Sequence, residues 1–340
     1  MLPWVLHQPP INFHLSFSPR GARRRVLTMA PRLLLLLLLA FYVPSYVAAM
    51  RVLVTGAGGR SGKLIFSKLK QDYSRIEPVG LVRSKQAAKA LRKAGAAPGE
   101  IIKGDSTVPE DLVRAMEGCE GVVLCTSAVP KIRPLSIAKV LLKKLPLLNR
   151  GPPGRPSFRF SKGGTPEEVD WLGAKLQIDA AKAAGVKRFV FVSSMGGTQP
   201  ENFLNSIGRQ SDGTGGDILL WKRKAERYLI ESGMTYTIIH PGGLLDQPAS
   251  ERELLVGVND DLLKLSTRSV PRADVARVCC AALVSPEAEN VSFDLASKAP
   301  GEGTLTVHAR DIFAALGGKS CDYGKAVPDP PSIFTAAAGS

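Results

Sequence analysis

The run VLVTGAGGRSGKLI, residues 52–65, holds glycines at 56, 58, 59 and 62 between an apolar stretch and a helical one. Gly56, Gly59 and Gly62 follow a G-x-x-G-x-x-G spacing, the arrangement that lets a backbone turn sharply and approach a pyrophosphate closely. With Ser61 and Arg60 inside the turn, the N–H groups opening the next helix would supply donors and a partial positive charge for phosphate. A second anion feature follows at the end of the next apolar run, LVRSK, where Arg83 and Ser84 stand without any carboxylate. An acid at that place would hold a ribose 2′-hydroxyl; guanidiniums instead fit a 2′-phosphate through planar, charge-assisted pairs. Arg60 and Arg83 together therefore point to NADP(H) rather than NAD.

Other candidates fall at successive strand ends. Asp105, after Gly104, could accept from an adenine amino group or cap the helix that follows. Thr126 and Ser127 would lie beside the nicotinamide ribose, and Ser193 and Ser194 where a reductase keeps a hydroxyl for its carbonyl. Lys222 could bond the ribose hydroxyls or be a solvated helix charge, since Arg223 and Lys224 flank it. In HPGGL, Pro241 and Gly242 would bring backbone groups to the carboxamide, and His240 is a substitute acid or a structural histidine. With four histidines in all, two of them at 7 and 14, and no C-x-x-C pair among five cysteines, no metal site is expected. The thiols read as small buried groups.

Alternating β-branched runs and helical stretches must position these residues. Strands are expected in RVLVTG, PVGLVR, EIIKGD, GVVLCTSAV, KRFVFVSSMG and TYTIIHPGGL, with a last one in VSFDLAS. Helices are expected between them and in PRADVARVCCAALVS and HARDIFAALGG. That order is the signature of an α/β fold: one doubly wound parallel sheet over 50–318, with a small C-terminal substrate-side region. Residues 319–340 read as a disordered tail.

The net charge of +15 is unevenly placed: residues 1–49 hold five Arg and 131–162 hold nine Lys/Arg, with no acid in either. Almost all the excess lies there, so no nucleic-acid surface is expected. Residues 1–49 read as a targeting leader, signal-peptide-like from Met29, with a leucine run ending in Val47-Ala48-Ala49. Its Arg-rich start, with Met1 or Met29 as the initiator, also suits an organelle presequence. The insert 131–164 contains LSIAKVLLKKL, whose Ile137, Val140, Leu141 and Leu145 share a helical face beside Lys139, Lys143 and Lys144. This basic amphipathic helix either makes a peripheral contact with anionic lipid or an acidic partner, or is a flap whose apolar face covers the ligand cleft.

The motifs TGAGGRSG, LVRS, GD, VDWLGAKLQIDAAKAAGVKRFVFVSSMGG, WKRKAERYLIESGMTYTIIHPGGLLD and VPRADVA cover essentially all of 50–318. They resemble the atypical short-chain dehydrogenase/reductase superfamily, NmrA-like, and most of all its plant and algal NAD(P)-binding Rossmann proteins of unassigned activity. The resemblance implies a one-domain Rossmann fold binding NADP through Gly56–Gly62 and Arg83, and favours a plastid over the endomembrane or secreted route. It departs at His240, where many relatives carry Arg, and in the long insert. Short-chain reductases place a Tyr four residues before the helical Lys as proton donor; here Ile218 precedes Lys222. Tyr73, Tyr228, Tyr236 and Tyr323 are followed four residues on by Glu77, Ser232, His240 and Val327, so no Y-x-x-x-K exists after the leader. Two functions stay open: an NADPH-dependent oxidoreductase of unknown substrate, or a non-catalytic NADP(H)-binding redox sensor acting through a protein or membrane partner.

Overall fold

The computed structural model describes residues 49–143, 156–210 and 215–332. Residues 1–48 of the expected leader, Lys144, Leu145 and the last eight residues lie outside the described residues.

Residues from Ala48 onward form one compact unit. Its strands and helices alternate as β1 (Met50–Thr55), α1 (Arg60–Asp72), β2 (Ile76–Val82), α2 (Lys85–Lys93), β3 (Ile101–Lys103), α3 (Pro109–Met116) and β4 (Gly121–Leu124). A short hairpin, β5 (Lys131–Ile132) with β6 (Phe158–Arg159), flanks α4 (Pro134–Lys143). Then come α5 (Ala174–Ala183), preceded by a π-helical turn over Glu167–Gly173, β7 (Arg188–Val192), the single turn α6 (Phe203–Ser206), α7 (Ile218–Glu231) and β8 (Tyr236–Pro241). The C-terminal part adds β9 (Gly243–Leu245), β10 (Leu254–Gly257), β11 (Ser269–Pro271), α8 (Arg272–Val284), β12 (Val291–Ser297) and α9 (Asp311–Leu316).

The sheet has ten strands in the order β3-β2-β1-β4-β7-β8-β12-β11-β9, with β10 pairing β12. Strands from β3 to β8 and on to β12 run parallel, and the order reverses between β1 and β4. That reversal opens a crevice at the carboxyl ends of β1 and β4, where such sheets take ligands. Alternation along each strand feeds two separate cores. Val52, Val54, Val123, Val190 and Ile239 meet α1 and α8 on one face, through Ile65, Phe66, Val275 and Cys279. Leu53, Val122, Phe189, Phe191 and Ile238 meet α3, α5 and α7 on the other, through Leu112, Met116, Ile178 and Leu229. Covering both faces is why these strands read as continuous apolar runs.

Two expectations need correction. Residues 319–332 are an ordered strap rather than a disordered tail: Cys321 N donates to Ser292 O at 2.8 Å, and Lys224 meets Asp329 at 2.9 Å. The α4 flap does not lay its apolar face over the cleft, because Ile137 and Leu141 are exposed and Val140 is only half-buried. Among the described residues no helix is long and apolar enough to cross a membrane.

Candidate functional site

The glycine turn is built for close approach. Gly56 sits at φ +65°, where an L side chain is strained, and a Cβ there would come within 3.0 Å of the Cys125 carbonyl. A Cβ on Gly62 would stand 2.4 Å from Gly56 O, so only glycine lets α1 start against the turn. The turn floors a cleft of about 720 Å³ that runs past Gly58, Gly59, Arg60, Ser61, Arg83 and Ser84 to Thr126–Val129. This is the room, the backbone donors and the positive charge that a dinucleotide phosphate needs. Ser84 Oγ is committed to capping α2, accepting from Ala87 N at 3.1 Å.

Three guanidiniums reach this cleft, one more than the sequence suggested. Arg60 and Arg272 share the Asp246 carboxylate, Arg272 at 2.7 Å. Burial, and then the neighbouring Arg60 charge, hold Arg272 below its ordinary value. Arg83 lies at the rim, 68 % exposed, 3.5 Å from Asp105. Asp105 itself is occupied: its Oδ1 accepts from Thr107 N at 3.0 Å and Thr107 Oγ1 at 2.8 Å. It shapes the loop beside the cleft, whereas Gly104, Ser106 and Thr107 line it.

Beneath the far end lies a buried ion pair. Lys222 Nζ is 2.8 Å from Asp170 Oδ1, and Ala128 N donates to Asp170 Oδ2 at 3.0 Å. Lys222 is therefore no solvated charge, and in this state it offers itself to a carboxylate rather than to the cleft. Gln177 Nε2 donates to Thr126 Oγ1 at 3.1 Å and to Gly173 O at 2.9 Å, which fixes the loop from below. Cys125, half-buried here, has its thiol pushed up to about 12 by burial, against the opposing Lys222 charge. A thiol so shifted is a poor nucleophile near neutral pH.

The two serines after β7 part company. Ser193 turns inward and donates to Glu226, so it does not face a cleft; Ser194 is half-exposed. Glu226 and Asp294 bracket His240, with Nε2 3.2 Å from Glu226 and Nδ1 3.3 Å from Asp294. Tyr323, from the C-terminal strap, donates to Glu226 at 2.9 Å and lies 2.8 Å from Ser292 Oγ; Cys321 Sγ is 3.7 Å from His240 Nδ1. Burial alone would lower the His240 pKa, but the Glu226 charge and the hydrogen bonds raise it well above 6.5. Burial alone would raise Glu226, yet the imidazolium and donors from Ser193 and Tyr323 bring it below 4.5. His240, Asp294 and Cys321 sit within 4.8 Å of one another, close enough for metal ligands. His240 is buried between the two carboxylates and opens only onto a recess of about 10 Å³ that it shares with Ser194, Glu226 and Asp294. A positive imidazole there would offset their charge, and the larger cleft beside Ser194 is lined without it.

Ser194, Met195 and Pro241–Leu244, at the carboxyl ends of β7 and β8, line a second cleft of about 1170 Å³. Pro241 and Gly242 belong to this cleft and not to the first. Gly242 N is spent on Leu295 O at 2.9 Å, and a Cβ there would meet Arg268 O at 1.9 Å. Asp260 anchors the rim, accepting from Gly196 N at 2.6 Å and Thr198 N at 2.9 Å.

Sequence reading missed Asp170, Gln177, Glu226, Arg272, Asp294, Cys321 and Tyr323. A signal existed on α7: Lys222 and Glu226 occupy the same stripe as Leu219 and Leu229, so charges stood at core positions.

Comparison with known proteins agrees with this architecture. Residues 56–286 match the family described as NAD(P)H-binding. The chain is 45 % identical over 267 residues to an uncharacterized chloroplastic protein of Arabidopsis thaliana, At2g37660, covering 78 % of this chain and 75 % of that one. It is 42 % identical over 272 residues to sanguinarine reductase of Eschscholzia californica, covering 78 % of this chain and 96 % of the reductase. Among solved structures it resembles the oxidoreductase ylbE of Lactococcus lactis, with a TM-score of 0.52, 20 % identity and coverage of 79 % and 98 %. That likeness concerns the fold alone. By sequence and by the site it builds, the chain belongs to the NAD(P)H-binding family of Rossmann-fold, atypical short-chain dehydrogenase/reductase proteins.

Proposed function

We propose that the protein is an NADP(H)-dependent reductase for acceptors that take a hydride without a proton from a tyrosine of the enzyme. One observation carries the reading: Ile218 stands where the donor would be, and Lys222 is held by Asp170 at 2.8 Å. When bound, the nicotinamide supplies the hydride. The glycine turn and the α1 N-terminus would hold its pyrophosphate, and Arg83, with Arg60 and Arg272 nearby, would hold a 2′-phosphate. Thr126 and Ser127 would border the ribose at the far end of the cleft, with the Lys222–Asp170 pair fixing that end from below. Ser194 would border the acceptor in the second cleft. An acceptor such as an iminium, C=N⁺, becomes neutral on gaining a hydride, so no oxyanion is left to protonate. The 42 % identity to sanguinarine reductase supports a reductase of this kind.

The test is titration of the purified chain with NADPH and NADH, followed by absorbance at the nicotinamide band with sanguinarine, quinones, aldehydes and enones. Turnover of iminium or quinone acceptors, with aldehydes untouched, is the expected result. Tight NADPH binding with no turnover of any acceptor would overturn it in favour of a redox sensor. The names of relatives such as the chloroplastic Arabidopsis protein, with the Arg-bearing leader, support import into a plastid. A fluorescent fusion of residues 1–49 tests it; secretion of the fusion would reject it.

A further inference from the structure

The described residues expose fourteen large apolar side chains, and six of them lie between 129 and 142. Val129 and Ile132 belong to or precede the β5 strand; Leu135, Ile137, Leu141 and Leu142 belong to α4, Leu135 at 80 % and Leu141 at 59 % exposed. Apolar residues gathered this densely outside the core mark a contact surface. The segment that carries them is basic in sequence, for 131–162 holds nine Lys/Arg and no acid, and the described side chains among these are Lys131, Arg133, Arg159 and Lys162. Arg133 and Arg159 border a recess of about 510 Å³ beside Leu135, and neither has an ion-pair partner among the described residues. Ser136 ties the recess together: Ser157 N donates to its Oγ at 3.0 Å, and Arg133 N donates to Ser157 O at 2.9 Å.

We propose that this flap docks on an anionic lipid bilayer, its leucines entering the interface and its guanidiniums meeting lipid phosphate. The occupant follows from the combination of charges. An acidic protein groove would satisfy the arginines, and an apolar groove the leucines; an anionic bilayer presents phosphate above hydrocarbon over any area. The β5–β6 hairpin also borders the cofactor cleft through Lys131, so docking sets that cleft at the bilayer surface. The inference stands on geometry and charge, independently of which reaction the cleft performs.

The experiment is co-sedimentation of the chain 48–340, which contains the whole compact unit and lacks the apolar leucine run, with phosphatidylcholine vesicles with or without phosphatidylglycerol. Expected is binding only to phosphatidylglycerol vesicles, weakened about tenfold or more between low and physiological salt. Leu135→Ser with Leu141→Ser, and separately Arg133→Glu with Arg159→Glu, should each lower binding at least about tenfold. Both leave the cofactor cleft untouched, so NADPH affinity, measured by fluorescence, confirms that each variant is folded. Absence of binding to anionic vesicles, equal binding to neutral ones, or variants that bind like wild type would overturn the proposal. A concentration-dependent dimer in analytical ultracentrifugation that the leucine variant abolishes, without vesicle binding, would assign the face to a second copy instead.

Discussion

The Tyr323 hydroxyl donates to the Glu226 carboxylate at 2.9 Å, joining residues 97 positions apart, the strap to the middle of α7. The tyrosine that no motif accounted for is thus a structural clasp. It sits within reach of His240, 3.4 Å from Nε2, and its ring lies 4.5 Å beneath the Arg223 guanidinium. Removing the hydroxyl by Tyr323→Phe leaves a buried carboxylate short of a donor, costing about 1.5–3 kcal/mol. Urea unfolding should show it as a lower midpoint at constant slope. A midpoint equal to wild type would mean the hydroxyl adds nothing to the hold that the strap's other partners, Ser292 O and Lys224, already provide.

The His240 cluster makes stability depend on pH. Its pKa is raised in the fold, so its contribution is full below about 6.5 and fades as pH climbs toward the folded value. Glu226 is lowered, so its contribution is full above about 4.5 and fades in acid. Wild type should therefore be most stable between these limits. His240→Gln should lose the alkaline fade, so the difference in melting temperature between the two proteins shrinks above pH 7. Parallel curves from pH 6 to 9 would show that His240 is not charged in the fold.

Arg83 should choose the cofactor. Arg83→Glu replaces an attraction to a 2′-phosphate with a repulsion, while an unphosphorylated ribose meets no comparable change. NADPH affinity should fall about ten- to a hundredfold, the weight of about 1.5–3 kcal/mol in a charge-assisted pair, and NADH affinity by less than about threefold. Equal losses, read by fluorescence titration, would remove Arg83 from that role and leave Arg60 and Arg272.

The Lys222–Asp170 pair should behave as a buried ion pair does. Asp170→Ala strands a buried ammonium and should cost about 3–5 kcal/mol, whereas Lys222→Met with Asp170→Leu should cost much less. If Lys222→Met alone keeps full stability but abolishes NADPH binding, the lysine serves the cofactor directly. Unfolding and titration on the same variants separate the two.

Much of this site was legible along the chain. The glycine turn, the strand before it and Arg83 at the next strand end declare themselves within about thirty residues, because phosphate recognition there uses local backbone geometry and a helix end. The parallel sheet followed from alternating elements, since connections between neighbouring parallel strands leave few arrangements. Ser193 and Ser194 looked equivalent, and only the alternation of side chains continuing just past β7 separates them, sending one to Glu226 and the other toward a cleft. The strap was misjudged because its sequence lacks periodicity, while its order comes from partners such as Ser292.

Sequence alone determined that a nucleotide-binding α/β fold forms, where its phosphate turn lies, and that no tyrosine precedes Lys222 as a donor. Tertiary structure decided which charges are buried. Lys222, Glu226 and His240 are polar residues whose character depends on Asp170, Asp294 and Tyr323, each far away in the chain. A charge's fate is set by what surrounds it in space, and that surrounding exists only once the strap and both helical layers have closed on the sheet.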